Sequence, residues 1–201
     1  SLPVTQWALV QALRHVQRRG IEGDFVECGV WRGGNLVIAR TLLESSRQVW
    51  GFDTFEGMTA PTEHDSKFGS TLDAASKFRQ TSSDGYVDWC YASIEDVRAN
   101  LAATGCSEGV TLVKGDVRET LLDTASLPEK IAILRLDTDF YDSTRIELET
   151  LYPRVAPGGV VIVDDYGVWA GAKKAVDEYF GDDLPWLHYV TRDARLFVKE
   201  G

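Results

Sequence analysis

Cysteine is scarce in this sequence. Its three residues, Cys28, Cys90 and Cys106, are odd in number and none sits in a CxxC pair. That excludes a disulfide framework, and the thiols read as reduced, as expected of a cytoplasmic protein. Long apolar runs are missing too: nothing approaches the ~20 residues that span a bilayer, and Ser1 opens no signal-peptide pattern. The first residue is not Met, as in a processed or trimmed chain. Positive charge is in deficit, with 21 Lys+Arg against 31 Asp+Glu and a net charge of −10. So acidic a body repels phosphate backbones and anionic lipid, which removes nucleic acid and membrane as default partners. What is present is globular: 201 residues, 44% hydrophobic and 26% charged. Disordered and collagen-like classes are excluded, and the length suits a single domain over 1–201 that needs no staples.

Apolar strands alternate with amphipathic segments along the chain. Residues 5–19 carry Trp7, Leu9, Val10, Leu13 and Val16 at helical spacing and stop at Gly20, a suitable C-cap. Strands are expected at 25–30, 48–52, 110–113, 131–136 and 160–163, the last entered through a turn at Pro157-Gly158-Gly159. Helices are expected at 35–43, 117–122, 143–151 and 172–180, and one more to about residue 103, opened by Ser93 and Asp96 at capping-box spacing. Residues 187–190 and 196–198 read as a final antiparallel pair. The expected fold is α/β, a mostly parallel seven-stranded sheet with an antiparallel terminal hairpin and helices on both faces. Residues 57–91 break the rhythm. They are rich in Ser, Thr, Asp and Gly but seeded with Phe68, Phe78, Tyr86 and Trp89, which reads as a lid-like insertion.

After the first strand the chain reads Glu27-Cys28-Gly29-Val30-Trp31-Arg32-Gly33-Gly34-Asn35. Glycines here let the backbone turn sharply beyond the carboxyl end of a strand, where doubly wound sheets bind ligands. Asp53 ends the second strand, placed to accept hydrogen bonds from ribose hydroxyls. The turn lacks a true GxGxxG, which disfavours a dinucleotide and leaves a nicotinamide reductase a distant third. Glu27 repels phosphate and suits an ammonium group. Together these residues favour S-adenosylmethionine. Asp116, after the third strand, either accepts from an adenine amino group or caps the helix behind it.

Asp137 and Asp139 end the fourth strand and Asp164 and Asp165 the fifth. If those strands are neighbours, four carboxylates converge, and acids at that density destabilise the fold or take up protons. A hard divalent cation such as Mg2+ resolves the conflict. The competing reading is neutralisation by Arg135, Lys173 and Lys174, or plain helix capping. Other groups look structural: His15 and His188, an exposed loop His64, and a buried, inert Cys28. Trp31 and Phe55 either stack on a ligand or pack in the core.

With these residues in place, the chain resembles the macrocin O-methyltransferase family. The resemblance is carried by DFVECGVWRGGN (24–35), GFDTFEGM (51–58), YASIEDVRANL (91–101), LVKGDVRETL (112–121), LRLDTDFYDST (134–144), PGGVVIVDDYG (157–167) and KKAVDEYF (173–180). It implies a Rossmann-like class I methyltransferase that uses S-adenosylmethionine and Mg2+ to methylate a sugar hydroxyl of a small glycosylated acceptor in antibiotic biosynthesis. It implies cofactor binding by Glu27, Gly29, Gly33, Asp53 and Asp116, and metal binding by Asp137, Asp164 and Asp165. Asp139, beside Asp137, is implied as the general base, and assembly into a homo-oligomer is plausible by the same analogy. The alternatives are a catechol or phenol O-methyltransferase and a cofactor-binding module without catalysis.

Overall fold

The computed structural model describes residues 2–201. In chain order its elements are α1 (Pro3–Arg19), β1 (Asp24–Cys28), α2 (Gly34–Leu42), β2 (Val49–Asp53), α3 (Ala74–Thr81), β3 (Ser82–Ser83), β4 (Tyr86–Val87), α4 (Ile94–Ala103), β5 (Val110–Lys114), α5 (Val117–Thr120), β6 (Ile131–Leu136), α6 (Tyr141–Leu151), β7 (Val155–Val163), α7 (Ala170–Phe180), β8 (His188–Tyr189) and β9 (Arg195–Val198).

Strand side chains alternate between two apolar layers, and that alternation builds the architecture. Phe25, Ile133, Val160 and Ile162 pack against Leu9, Leu13 and Val16 of α1, Leu36 of α2 and Val97 of α4. Val26, Leu134, Leu136, Val161 and Val163 face the opposite way, onto Val117 of α5, Leu148 and Leu151 of α6 and Val176 of α7. The seven-stranded sheet has the order β5-β2-β1-β6-β7-β9-β8. β9 alone runs against its neighbours, pairing His188↔Leu196 with β8 and Val161↔Phe197 with β7. The five parallel strands therefore end along one edge of the sheet. There β6 lies beside β7, with Leu136 paired to Val163.

Most boundaries shift by one or two residues from the sequence reading, and two of the departures have a physical cause in the fold. Pro157-Gly158-Gly159 lies inside β7, where the register jumps from Ile131↔Val155 to Ile133↔Val160. The segment bulges out of the ladder with Gly158 at φ 81, and its groups stay satisfied: Gly158 N donates to Lys199 O, and His15 Nε2 lies 3.1 Å from Gly158 O. α6 starts at Tyr141 rather than at residue 143 because a carboxylate from the insertion receives its first turn. Asp65 Oδ1 accepts from Tyr141 N at 2.8 Å, and its Oδ2 accepts from Thr62 N and the Thr62 hydroxyl.

The insertion holds α3 and the β3–β4 hairpin, and it is docked rather than loose. Trp89 packs with Ala74, Phe140, Val168 and Trp169 in a third apolar cluster, while Phe68 and Tyr86 stay exposed. Asp65 is only 4% exposed, and its loss leaves three donors unpaired. Asp65→Ala is expected to cost about 2–3 kcal/mol in urea unfolding and to open residues 57–91 to limited proteolysis ahead of the sheet.

Candidate functional site

A cavity of about 280 Å³ opens at the carboxyl ends of the parallel strands. Gly29, Trp31 and Asp53 form one wall with Asp116; Asp137, Asp139 and Asp164 form another; and Met58, Thr59 and Cys90 of the insertion border it.

The first wall depends on one glycine. Gly29 sits at φ 86, and a Cβ there would lie 2.0 Å from Asp137 O, so β1 and the segment after β6 approach as only glycine permits. Asp53 then fixes the turn: Oδ2 accepts from Val30 N at 2.7 Å and Trp31 N at 2.9 Å, and Oδ1 from Phe55 N at 2.7 Å. Burial pushes its carboxyl up, against the pull of those donors. Asp53 thus lines the cavity with most of its acceptor capacity already used. Trp31 is a half-exposed wall residue, whereas Phe55 is core. Gly33, at φ 81 and N-capping α2, shapes the turn from outside the cavity. Asp116 caps α5 by accepting from Arg118 N and also pairs with the Arg118 guanidinium, so the capping role is realised on a residue that also lines the cavity.

Glu27 does not reach the cavity. It is paired in register with Arg135, both fully buried, and its Oε1 takes hydrogen bonds from Arg135 Nη1 at 2.7 Å and Asn35 Nδ2 at 2.8 Å. Arg135 Nη1 also reaches Asp137 Oδ2 at 2.6 Å, and Nη2 lies 2.9 Å from Asp164 Oδ1 without hydrogen-bonding geometry. One guanidinium therefore faces three carboxylates.

Beyond it the acids crowd together. Carboxylate oxygens of Asp137, Asp139 and Asp165 all lie within 4.8 Å of one another. Burial, then the like charges around them, pushes Asp137 and Asp165 well up; Asp139 rises to about 7 and shares a hydrogen bond with Asp165. Asp165 Oδ2 is buried with no hydrogen-bond partner. A set of hard oxygen donors short of positive charge can hold a divalent cation, and protons take its place when none is bound. The set the structure gathers differs from the sequence expectation of Asp137, Asp164 and Asp165. Asp139 is drawn in, and Asp164 leans on Arg135.

Lys173 and Lys174 contribute nothing to the cluster. Lys173 pairs with Asp177 and Lys174 with Glu178, both on their own helix. His64 is half-buried rather than exposed, 3.1 Å from Lys174 Nζ and edge-on to Tyr141. Three features had no sequence signal: Cys90 on the cavity rim, Asp65 behind it, and Glu147 of α6. Partial burial of the Cys90 thiol, then the charges of Asp139 and Asp137, pushes it up to about 11, so it stays a thiol. Glu147 is fully buried and accepts the Thr138 hydroxyl at 2.9 Å, with burial pushing its carboxyl up to about 8.

Arg135→Leu is expected to cost about 3–5 kcal/mol in urea unfolding by orphaning buried acids, with part recovered in Arg135→Leu/Glu27→Leu. A second expectation concerns pH. Folded Glu147 holds its proton up to about 8, against an ordinary value of 4.5, so the folded state keeps a proton the unfolded chain has released. Its contribution to stability falls as pH rises through that window. The Tm of Glu147→Gln relative to wild type should therefore climb steadily between pH 5 and pH 8, followed by calorimetry.

Comparison with known proteins meets this geometry. A family model described as macrocin O-methyltransferase (TylF) matches residues 7–183. The 8-demethyl-8-(2,3-dimethoxy-alpha-L-rhamnosyl)-tetracenomycin-C 4'-O-methyltransferase of Streptomyces olivaceus is 36% identical over 168 residues, covering 81% of this chain and 59% of that protein. The mycinamicin III 3''-O-methyltransferase of Micromonospora griseorubida is 36% identical over 167 residues, covering 81% of this chain and 62% of that protein. The chain thus spans about three-fifths of the length of these relatives. Among solved structures, the O-methyltransferase NovP superposes with a TM-score of 0.82 at 32% identity, covering 98% of this chain and 80% of that one.

Proposed function

This chain belongs to the macrocin O-methyltransferase family, and we propose that it transfers a methyl group from S-adenosylmethionine to a sugar hydroxyl of a small glycosylated acceptor in antibiotic biosynthesis, with Mg2+ at its acidic cluster. The observation that carries this reading is the gathering of carboxylate oxygens of Asp137, Asp139 and Asp165 within 4.8 Å of one another at a cavity that Asp137 and Asp139 line, with the buried Asp165 Oδ2 left without a hydrogen-bond partner. The tetracenomycin relative, whose name specifies a rhamnosyl-bearing substrate, supports a sugar as acceptor.

The residues present fit both groups. Gly29, Asp53 and Asp116 offer the nucleoside a wall of backbone and carboxylate acceptors, and Gly33 shapes the turn that carries it. Glu27 serves the site from behind, by fixing Arg135 and Asn35. Asp137 and Asp165 would be the principal ligands for the cation, and Asp164, whose Oδ1 is ion-paired with Arg135 at 2.9 Å, would have to turn from that pair to join them. When bound, the cofactor supplies a methyl carbon activated by its sulfonium, and the cation lowers the pKa of acceptor oxygens.

What the chain itself does is align and deprotonate. Strand ends fixed by Asp137 N to Cys28 O and Asp164 N to Leu136 O hold the carboxylates in place, and such alignment is worth several kcal/mol. Asp139, on the cavity wall and freed of the proton it shares with Asp165, takes the acceptor hydroxyl's proton on its carboxylate. Insertion residues Met58, Thr59 and Cys90 border the cavity.

Asp137→Ala and chelation by EDTA should each abolish turnover while S-adenosylhomocysteine still binds in calorimetry. Offering sugar-bearing and catechol acceptors to the same protein checks the acceptor class. Undiminished turnover by metal-stripped protein would refute the assignment of the cluster.

A further inference from the structure

Between Asp137 and Asp139 the backbone makes an unusual turn. Phe140 N donates to Thr138 O at 2.8 Å, enclosing only Asp139, whose φ is 67. A bond from i+2 back to i around a positive φ is the strained form of the γ-turn, and such strain persists only where surrounding contacts over-determine it. Asp137 is fixed on one side, its N–H on Cys28 O and its carbonyl against Gly29. On the other side the Ser143 hydroxyl reaches Phe140 O at 3.0 Å. The first residue of the turn, Thr138, is held by a side chain from the middle of α6: its hydroxyl donates to Glu147 Oε1 at 2.9 Å.

Glu147 is an expensive residue for its position. It is 0% exposed, next to Leu148 and one helical turn before Leu151 in the apolar layer under the sheet. An apolar side chain would serve packing better. Its carboxyl meets the Cys28 thiol and the Thr138 hydroxyl, and the charges that act on it, those of Asp165 and Asp116, are of its own sign. No cation pairs with it among the described residues. Its one strong bond goes to the residue lying between the two carboxylates of the strand end.

We propose that Glu147 is a positioning residue for Asp139, anchoring Thr138 so that the strained turn aims the Asp139 carboxylate into the cavity. The proposal deepens the functional reading above and rests on Asp139 as the proton acceptor. Glu147 touches neither substrate nor cofactor. It acts through one hydroxyl and one turn.

Backbone amide exchange by NMR on the whole chain tests the anchor without turnover. Thr138→Val removes the donor at equal volume, Glu147→Met removes the acceptor, and Glu147→Gln keeps a carbonyl in its place. The first two should lower protection of the Phe140 amide about tenfold while Leu134 and Leu136 in β6 keep theirs, and Glu147→Gln should retain it. In the same variants kcat should fall about tenfold, with the Kd for S-adenosylhomocysteine unchanged and Glu147→Gln close to wild type. Unchanged Phe140 protection in Thr138→Val and Glu147→Met, or a loss spread evenly along β6, would overturn the proposal. Protection lost at Phe140 with kcat intact would uphold the anchor and remove Asp139 as the proton acceptor, so the two readings fail separately.

Discussion

A shortage of positive charge at the end of the sheet governs this structure. Arg135 is the one buried guanidinium among Glu27, Asp137 and Asp164, with Asp139 and Asp165 just beyond. A single buried cation cannot neutralise so many acids in a medium of low dielectric. The excess is met by raised carboxyls and a hydrogen bond shared between Asp139 and Asp165. Evolution seldom retains such an arrangement for stability, since apolar residues of similar size would do better. Its consequence is a concentrated negative field at the cavity.

Backbone strain gathers around the same place. Non-glycine residues with positive φ are Trp31, Phe55, Cys90 and Asp139. Three of them line the cavity, and Phe55 follows the lining residue Thr54. Three of the four are held by contacts outside themselves: Trp31 and Phe55 by the carboxylate of Asp53, and Asp139 by the turn between Thr138 and Phe140. Strain of this kind is stored where geometry must be set in advance of binding. The insertion adds the outer support, since Asp65 caps α6 directly behind Asp139 and Trp89 packs on Phe140.

The relatives differ from this chain at nearly two-thirds of aligned positions, and the NovP structure shares its fold. A sheet of this kind is a scaffold that can carry different chemistries at its strand ends. At the border of the cavity, Met58, Thr59 and Cys90 come from the insertion and owe nothing to the strand pattern. These side chains sit on a docked segment with its own apolar cluster, so they can vary without disturbing the sheet.

The sequence by itself determined what local chemistry dictates. The strands, their mostly parallel pairing and terminal hairpin, the Gly20 stop, the Ser93–Asp96 capping box and the acids at two strand ends follow from periodicity, turn residues and spacing, whereas the order of the strands across the sheet does not. Only the tertiary structure decided how those acids are shared. Asp164 turns to Arg135 because Arg135 and Glu27 meet in register on one face of the sheet, a pairing between residues 108 apart in the chain. The Pro157-Gly158-Gly159 bulge, the Asp65 cap on α6 and the Glu147 anchor of Thr138 were hidden for the same reason. Propensity records what a residue does with its neighbours in sequence, whereas a buried charge or hydroxyl is settled by whichever distant partner the fold brings within three ångströms.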